Sequence, residues 1–355
     1  MKARTLNRRQ LVAVAAAALG GTSALGRPAE PARPAGPARV PIGFLGACHS
    51  HAADKVQVVR ESAEFELVGI CEADETVRRR LDRTGVPLIS QAELFERAQV
   101  VAVESDVADH ARHARLALAA GKHVHLEKPP ADTFEAFREI VDLARRQERL
   151  VQMGYMWRYN PGINAALEAA RKGCLGEVYL VRGTINTLLG PERRPEWGRF
   201  PGGVLFELGS HLIDVLVRLL GRPTKIHSML KTHGPVPDKL ADNTVAVFEF
   251  PRALGVLSST TLQPNATPHR RFEILGTNGT AVVGPIEPPK LAIDLAKAAG
   301  PYRAGAQSVA MPPYRRYVDD FAELARAVRQ GIPLAIPPEQ DLLVQETLIR
   351  ASSPV

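Results

Sequence analysis

Three side chains in the second half of the chain have the types and spacing that proton transfer requires. Glu207, His211 and Asp214 lie in a segment predicted to be helical, where residues three and four apart share one face. A histidine beside carboxylates can be held in one tautomer with a pKa near neutrality. We therefore predict that His211 is a general base, and that Glu207 and Asp214 orient it or bind substrate hydroxyls.

A second group of candidate residues follows a short apolar strand. Glu127, Lys128 and Pro129 come directly after residues 123–126. The Lys128 ammonium can donate to an oxygen that develops negative charge, and we expect it to act with His211 on one hydroxyl group. Pro129 fixes the backbone direction after the lysine.

Basic and aromatic residues after a further predicted strand, residues 150–154, are candidates for substrate binding. Arg158 and Tyr159 are predicted to line the substrate cleft. The alternative is that this segment, together with Trp157, packs the junction between two domains.

The segments that must position these residues alternate between apolar strands and helices. This alternation predicts a parallel sheet with right-handed crossovers, an α/β domain of the doubly wound Rossmann type over residues 40–157. Such sheets bind ligands at the carboxyl ends of their strands. The predicted strands cover residues 40–46, 65–71, 99–103, 123–126 and 150–154, and the predicted helices 52–62, 110–120 and 133–148.

The loop after the first strand keeps one glycine of a dinucleotide-binding fingerprint. Gly46 takes the first place of Gly-x-Gly-x-x-Gly, while Cys48 and His51 take the other two. Cys48 is small, so a pyrophosphate can still approach. Glu72, at the end of the second strand, is placed to hold ribose hydroxyls and repel a 2′-phosphate, which favours NAD over NADP. The basic run 78–80 keeps NADP possible.

Two motifs resemble those of the Gfo/Idh/MocA oxidoreductases. The first is the run from Gly121 to Pro130, with Glu-Lys-Pro at its end, and the second is the run from Gly202 to Asp214. Ser105 and His110 stand where that family has a strand end followed by a histidine on the next helix. The likeness covers roughly residues 40–350.

The resemblance implies a Rossmann domain followed by an α+β domain with a large, mostly antiparallel open sheet, here residues 158–355. It implies NAD or NADP, a sugar, cyclitol or related polyol as substrate, and homodimers or homotetramers packed through that sheet. Two features depart from the family pattern: the glycine fingerprint is eroded, and Glu207 stands where aspartate is common. The predicted cofactor-binding residues are Gly46, Cys48, His49, Glu72, Ser105, His110, Glu127, Lys128 and Pro129.

Histidines in the same region resemble zinc ligands in type. His49 and His51, with Cys48, lie at one strand end, and His123 and His125 share a strand face. Their spacing is not a firm zinc-ligand pattern, and the loop must also hold phosphates. The sequence therefore predicts no metal site.

The net charge of +7 is concentrated at the start of the chain. Residues 1–39 hold seven basic residues and one acid, so the rest is nearly neutral and gives no reason to expect a nucleic-acid partner. Arg8 and Arg9 before the apolar run 11–19 predict a twin-arginine signal over residues 1–26, followed by a Pro/Ala linker over 27–39. We expect export to the periplasm by the twin-arginine machinery, with a retained N-terminal anchor as the alternative, and no later membrane segment.

Three functional hypotheses follow. The first is an NAD(P)-dependent oxidoreductase that moves a hydride between a nicotinamide and a hydroxyl-bearing carbon of a sugar, cyclitol or polyol. The second is an NAD-dependent glycoside hydrolase or lyase, in which transient oxidation acidifies the neighbouring C–H and elimination cleaves the glycosidic bond. The third is a non-catalytic nucleotide- or sugar-binding protein, which the presence of both Lys128 and His211 argues against.

Overall fold

The computed structural model describes residues 38–353, and from Arg39 onward the chain forms one compact unit. The predicted signal peptide and all but the end of the linker lie outside the described residues. Among residues 38–353, no helix is long and apolar enough to cross a membrane.

A parallel sheet with the strand order β2-β1-β3-β4-β5 forms the N-terminal half of the described chain. Because the order reverses between β1 and β3, a crevice opens at the carboxyl ends of these strands, where such folds bind ligands. The predicted Rossmann-type half is confirmed, and α2 and α3 are added to it. The strands are β1 (Val40–Leu45), β2 (Phe65–Cys71), β3 (Val100–Val103), β4 (His123–Leu126) and β5 (Val151–Met153), and the helices are α1 (Ala52–Glu61), α2 (Glu75–Asp82), α3 (Gln91–Arg97), α4 (Val107–Ala119) and α5 (Phe134–Arg146).

A larger sheet with the order β13-β12-β11-β10-β6-β9-β8-β7 forms the C-terminal half. All neighbouring strands are antiparallel except β6 and β9, so the predicted mostly antiparallel open sheet is confirmed. Side chains along β8 and β9 alternate between buried and partly exposed, as expected for a sheet with one covered face. The strands are β6 (Val178–Thr184), β7 (Lys225–Lys231), β8 (Asn243–Glu249), β9 (Leu254–Thr260), β10 (Arg271–Gly276), β11 (Gly279–Val283), β12 (Leu291–Leu295) and β13 (Gly305–Val309).

The helices of the C-terminal half connect the two sheets. Helix α9 packs on β6 and β9, α10 returns to β1, and α11 contacts both α5 and α9. Helix α11 therefore joins the two halves, since it contacts a helix of each. These helices are α6 (Pro161–Arg171), α7 (Arg194–Gly198), α8 (Val204–Glu207), α9 (Ser210–Leu220), α10 (Val318–Gln330) and α11 (Pro338–Ser352).

The segment that carries Glu207 and His211 differs from the prediction. It was expected to be one helix, but α8 ends at Glu207 and α9 begins at Ser210. Gly209 lies at the break, where an added Cβ would stand 2.6 Å from the Leu205 carbonyl oxygen. The close approach of these turns allows only glycine there, so the two side chains leave from different helices and face different neighbours.

Candidate active site

The predicted catalytic residues meet between the carboxyl end of β4 and the break between α8 and α9. Lys128 Nζ donates to Glu207 Oε1 at 2.6 Å and to the Glu207 carbonyl at 3.0 Å. Both side chains are almost fully buried. The lysine is therefore fixed in direction by a residue from the other half of the molecule, 79 positions later in the chain.

Glu127, the residue before Lys128, lies at the centre of a buried polar cluster. Its Oε1 accepts the Lys128 backbone N–H at 2.8 Å, and its Oε2 accepts from His51 Nδ1 at 3.1 Å. Lys55 also donates to Oε2. Burial raises the pKa of Glu127, but Lys55, His51 and His49 outweigh it and hold that pKa well below its usual range. Glu127 is therefore an internal anion that holds three elements together.

Lys55 is a site residue that the sequence analysis missed. It lies on the buried face of α1, and its Nζ donates to Glu104 Oε1 at 2.6 Å as well as to Glu127. Burial lowers the pKa of Lys55, but the two carboxylates raise it overall. One signal was present in the sequence. Glu104 and Glu127 directly follow two neighbouring parallel strands, and two buried carboxylates at one sheet edge require a cation.

His49 turns inward from the loop after β1. Its Nδ1 accepts the His51 backbone N–H at 3.3 Å, and its Nε2 lies 3.6 Å from Glu207 Oε1. Within the described chain, Nε2 is buried without a hydrogen-bond partner. The structure thus places this residue, predicted to bind cofactor, beside the Glu207 carboxylate, which is predicted to be catalytic.

His211 is buried against two aromatic rings. Its ring centroid lies 5.3 Å from that of Trp157 and 5.9 Å from that of Tyr155. Burial, followed by the charge of Lys128, holds the pKa of His211 well below its ordinary value, so the imidazole is neutral at physiological pH. Among residues 38–353 its Nδ1 has no hydrogen-bond partner, so neither Glu207 nor Asp214 orients it through that atom. The other part of the prediction, that these two acids bind substrate hydroxyls, stays a prediction.

The residues predicted to bind substrate are bonded to one another and to later parts of the chain. Arg158 donates to Asp214 at 2.7 Å and to Asp341 at 2.6 Å, and Tyr159 donates to Glu323. These ion pairs and hydrogen bonds join the segment after β5 to α9, α10 and α11. The junction-packing alternative describes this arrangement, and substrate contact by Arg158, Tyr159 and Asp214 stays a prediction.

The predicted cofactor residues lie around the crevice between β1 and β3. Gly46 has φ +79°, and a Cβ on it would come within 2.5 Å of Ser105 Cα, so glycine is required where the two strand ends touch. His110 is buried between the carbonyls of Pro129 at 2.7 Å and Ser105 at 3.1 Å, and therefore joins the ends of β3 and β4. Cys48 is exposed at the crevice.

The crevice fits a dinucleotide at its pyrophosphate and ribose ends. Within the described residues, α1 begins at Ala52 with no side chain capping it. The Ala52 N–H donates to the His49 carbonyl at 3.1 Å, and the other N–H groups of the first turn are available to an anion. Glu72 ends β2, and its carboxylate accepts the Ala47 N–H at 2.6 Å and the Asp74 N–H at 2.8 Å. An acid in this position suits ribose hydroxyls.

The fold and site define a Rossmann-type oxidoreductase, and comparison with known families agrees. Residues 40–155 match the family described as "Oxidoreductase family, NAD-binding Rossmann fold", and residues 163–282 match the "GFO/IDH/MocA C-terminal domain". The chain belongs to the Gfo/Idh/MocA family of NAD-binding oxidoreductases.

The individual relatives share about a third of their residues or fewer with this chain over the aligned regions. The D-glucoside 3-dehydrogenase of Escherichia coli is 31% identical over 195 residues, which is 51% of this chain and 54% of the relative, so the chain spans about half the length of that protein. The UDP-N-acetylglucosamine 3-dehydrogenase of Acidithiobacillus ferrooxidans aligns at TM-score 0.75 and 16% identity, over 88% of this chain and 97% of the other. An Agrobacterium radiobacter oxidoreductase in complex with NAD+, L-tartaric acid and magnesium aligns at TM-score 0.74 and 16% identity, over 88% and 94%. The two structural matches show a shared fold.

Proposed function

We propose that this protein is an NAD-dependent dehydrogenase that moves a hydride between the nicotinamide and a hydroxyl-bearing carbon of a sugar, cyclitol or related polyol. The observation that carries the proposal is the joint burial of Lys128 and His211 at the carboxyl end of the parallel sheet. A fixed cation and a neutral imidazole in one dry site are what alcohol oxidation requires of the protein.

Each residue has a separate role in the proposed reaction. Bound nicotinamide supplies the hydride acceptor. Neutral His211 takes the hydroxyl proton as the carbon is oxidised, and Lys128 donates to the same oxygen while negative charge develops on it. Glu207 acts through Lys128, because its carboxylate holds the ammonium at 2.6 Å. Burial excludes water from the proton transfer, which strengthens each of these interactions.

The sugar-type substrate rests on the relatives. The Escherichia coli relative is named as a dehydrogenase of a D-glucoside, and the Acidithiobacillus ferrooxidans neighbour as a dehydrogenase of a nucleotide sugar. Both names describe oxidation of a carbohydrate derivative. We therefore place glucosides and related sugars first among the substrates to be tested.

The experiment is a single-turnover assay on the purified protein with one equivalent of NAD. A panel of free sugars, glycosides and cyclitols is mixed with the complex, and the absorbance of reduced nicotinamide is followed while products are analysed. Stoichiometric reduction with an oxidised sugar supports the proposal. Cleavage of a glycoside without net reduction would replace it with the hydrolase or lyase hypothesis, and binding without either reaction would leave a binding protein.

We further propose export and self-association. The paired arginines Arg8 and Arg9 support export through the twin-arginine route.

The outward face of the second sheet carries the apolar side chains of Met229, Val247 and Leu254. This face supports a homodimer or homotetramer that packs through the second sheet. Light scattering gives the molar mass of the wild type and of a Leu254→Lys variant. If the protein assembles through this face, the variant should have the smaller mass.

A further inference from the structure

The fold brings three potential metal ligands together from two parts of the chain. His49 and His51 lie in the loop between β1 and α1, and Glu127 follows β4. Each offers one ligand atom, and these atoms all lie within 4.8 Å of one another. Glu127 is 76 positions from His51, so no local sequence pattern reveals the group.

The separations suit a single bound ion. Glu127 Oε2 lies 3.1 Å from His51 Nδ1 and 3.9 Å from His49 Nδ1. Ligands at about 2.0–2.1 Å around a tetrahedral ion are roughly 3.4 Å apart, so the two separations that include Glu127 are within about 0.5 Å of that value. The two histidine ligand atoms lie within 4.8 Å of each other. The hydrogen bond between His51 Nδ1 and Glu127 Oε2 is exchanged for two metal bonds when the ion binds, and the imidazole proton of His51 is then on Nε2.

His49 provides the second, independent observation. Within residues 38–353 its buried Nε2 has no hydrogen-bond partner, although Glu207 Oε1 is only 3.6 Å away. When Nδ1 of a histidine binds a metal, the proton is on Nε2, and a carboxylate facing that proton is the usual orienting partner. Glu207 is placed to be that partner. The bond that Nδ1 now accepts from the His51 N–H is long, at 3.3 Å, and is readily exchanged for a metal bond.

We propose that His49 Nδ1, His51 Nδ1 and Glu127 Oε2 bind one divalent first-row transition metal of the zinc class, with a fourth position open to water or a substrate oxygen. Two imidazoles and one carboxylate are a donor set that zinc accepts in catalytic sites. The ring centroid of His211 lies 6.4 Å from that of His51, so the predicted general base is close to the proposed metal site.

The surrounding charges accept a divalent cation. Glu104, Glu127 and Glu207 supply three carboxylates, against the two ammonium groups of Lys55 and Lys128, so the buried cluster has one negative charge in excess. Lys55 also donates to the Glu127 oxygen that would bind the metal. Its second bond, to Glu104 at 2.6 Å, keeps the ammonium paired when that oxygen turns to the ion.

The test measures binding directly. Protein stripped with a chelator is titrated with Co²⁺, which fills zinc sites and gives a visible ligand-field spectrum. Metal content after dialysis against Zn²⁺ is measured by mass spectrometry. We expect one equivalent per chain, a spectrum of low-symmetry nitrogen and oxygen coordination, and competition by Zn²⁺. Failure of the wild-type protein to bind one equivalent overturns the proposal without reference to any variant.

Variants locate the site. His51→Ala and His49→Ala are each expected to weaken Co²⁺ binding at least 10-fold, and Glu207→Gln by about 10-fold or more, as for an orienting partner. His227→Ala, which removes an exposed histidine on β7, is the matched control and should bind like the wild type. Circular dichroism confirms that each protein is folded. One equivalent bound equally well by folded His51→Ala would show that the metal is held elsewhere and reject the site.

Discussion

Lys55 Nζ and Glu104 Oε1 lie 2.6 Å apart, and neither side chain is exposed to solvent. The lysine comes from the first turn of α1 and the glutamate directly follows β3, so the pair joins this helix to the parallel sheet. A buried pair of this kind is costly to break, because removal of one partner leaves an uncompensated charge.

Replacement of the buried lysine tests this relationship. We expect Lys55→Met to lower the free energy of unfolding by about 3–5 kcal/mol, because Glu104 and Glu127 lose their shared cation. Urea unfolding measures the change. Lys297→Met, at an exposed lysine, should stay within about 0.5 kcal/mol of the wild type. Equal losses of unfolding free energy in the two variants would show that the Lys55–Glu104 pair makes no specific contribution to stability.

The catalytic pair is tested by single-turnover rates. Lys128→Met removes the donor to the developing alkoxide and should slow hydride transfer roughly 10²–10³-fold. His211→Ala removes the base and should cost roughly 10²–10⁴-fold. The double variant should lose less than the product of the two, because groups that act as a unit are not additive. All three proteins should keep their nucleotide, and a near wild-type rate in either single variant would remove that residue from the mechanism.

The acid at the end of β2 is expected to select NAD. Glu72→Gln keeps an oxygen for the Ala47 N–H but removes the charge, so the ratio of NADP to NAD affinity should rise by about 10-fold, or about 1.4 kcal/mol. Calorimetric titration with both nucleotides gives the ratio. Glu66→Gln, which changes an exposed acid on β2, is the control and should leave the ratio unchanged. If wild-type protein already prefers NADP, Glu72 does not have this role.

The buried carboxyl of Asp320 should make stability depend on pH. Burial raises the pKa of Asp320 from 3.8 to about 7, Lys55 opposes the shift, and Glu127 adds to it. Since the unfolded chain releases this proton at lower pH than the folded chain, the contribution of Asp320 to stability falls as pH rises from about 4 to about 7. Asp320→Asn stays neutral, and at about pH 8 it should be more stable than the wild type by about 2–4 kcal/mol.

The prediction for Asp320 is tested by measuring the free energy of unfolding in urea at several pH values, for the wild type and for Asp320→Asn. Asp319→Asn changes the exposed neighbour on the same helix and should keep the wild-type pH dependence. If Asp320→Asn and the wild type show parallel stability curves between about pH 4 and pH 8, then Asp320 does not titrate in that window.

The export proposal predicts that Arg8→Lys combined with Arg9→Lys, which preserves the charge, blocks translocation, because the pathway recognises the arginine pair itself. Cell fractionation with immunodetection measures the periplasmic fraction. Arg4→Lys, outside the pair, should be exported normally. Undiminished periplasmic protein in the double variant would assign residues 1–26 another role.

Local patterns in the sequence determined the elements and the nucleotide-binding half. The apolar runs before Gly46, Glu72 and Glu127 identify β1, β2 and β4, because strand formation and side-chain periodicity depend on neighbouring residues. Lys128 and Pro129 were identified for the same reason, since Glu-Lys-Pro is contiguous. The second sheet was expected from the resemblance, and its mostly antiparallel order was confirmed.

Tertiary structure decided which polar groups meet. In sequence Lys55 is an isolated charge within an apolar helix face, yet it is buried because α1 packs over two strand ends that carry acids. Arg158 is predicted from its place after β5 to line the substrate cleft, and only the fold shows that it also donates to Asp341, 183 positions away. The helix break at Gly209 likewise depends on close packing against Leu205.

The grouping of His49 and His51 with Glu127 has the same origin. The histidines by themselves gave no firm ligand spacing, because the third ligand comes from another strand of the parallel sheet. Sequence determines the residue types that a strand end presents. Only the lateral order of strands, set by burial of both sheet faces, determines which of those ends are neighbours and therefore what chemistry they share.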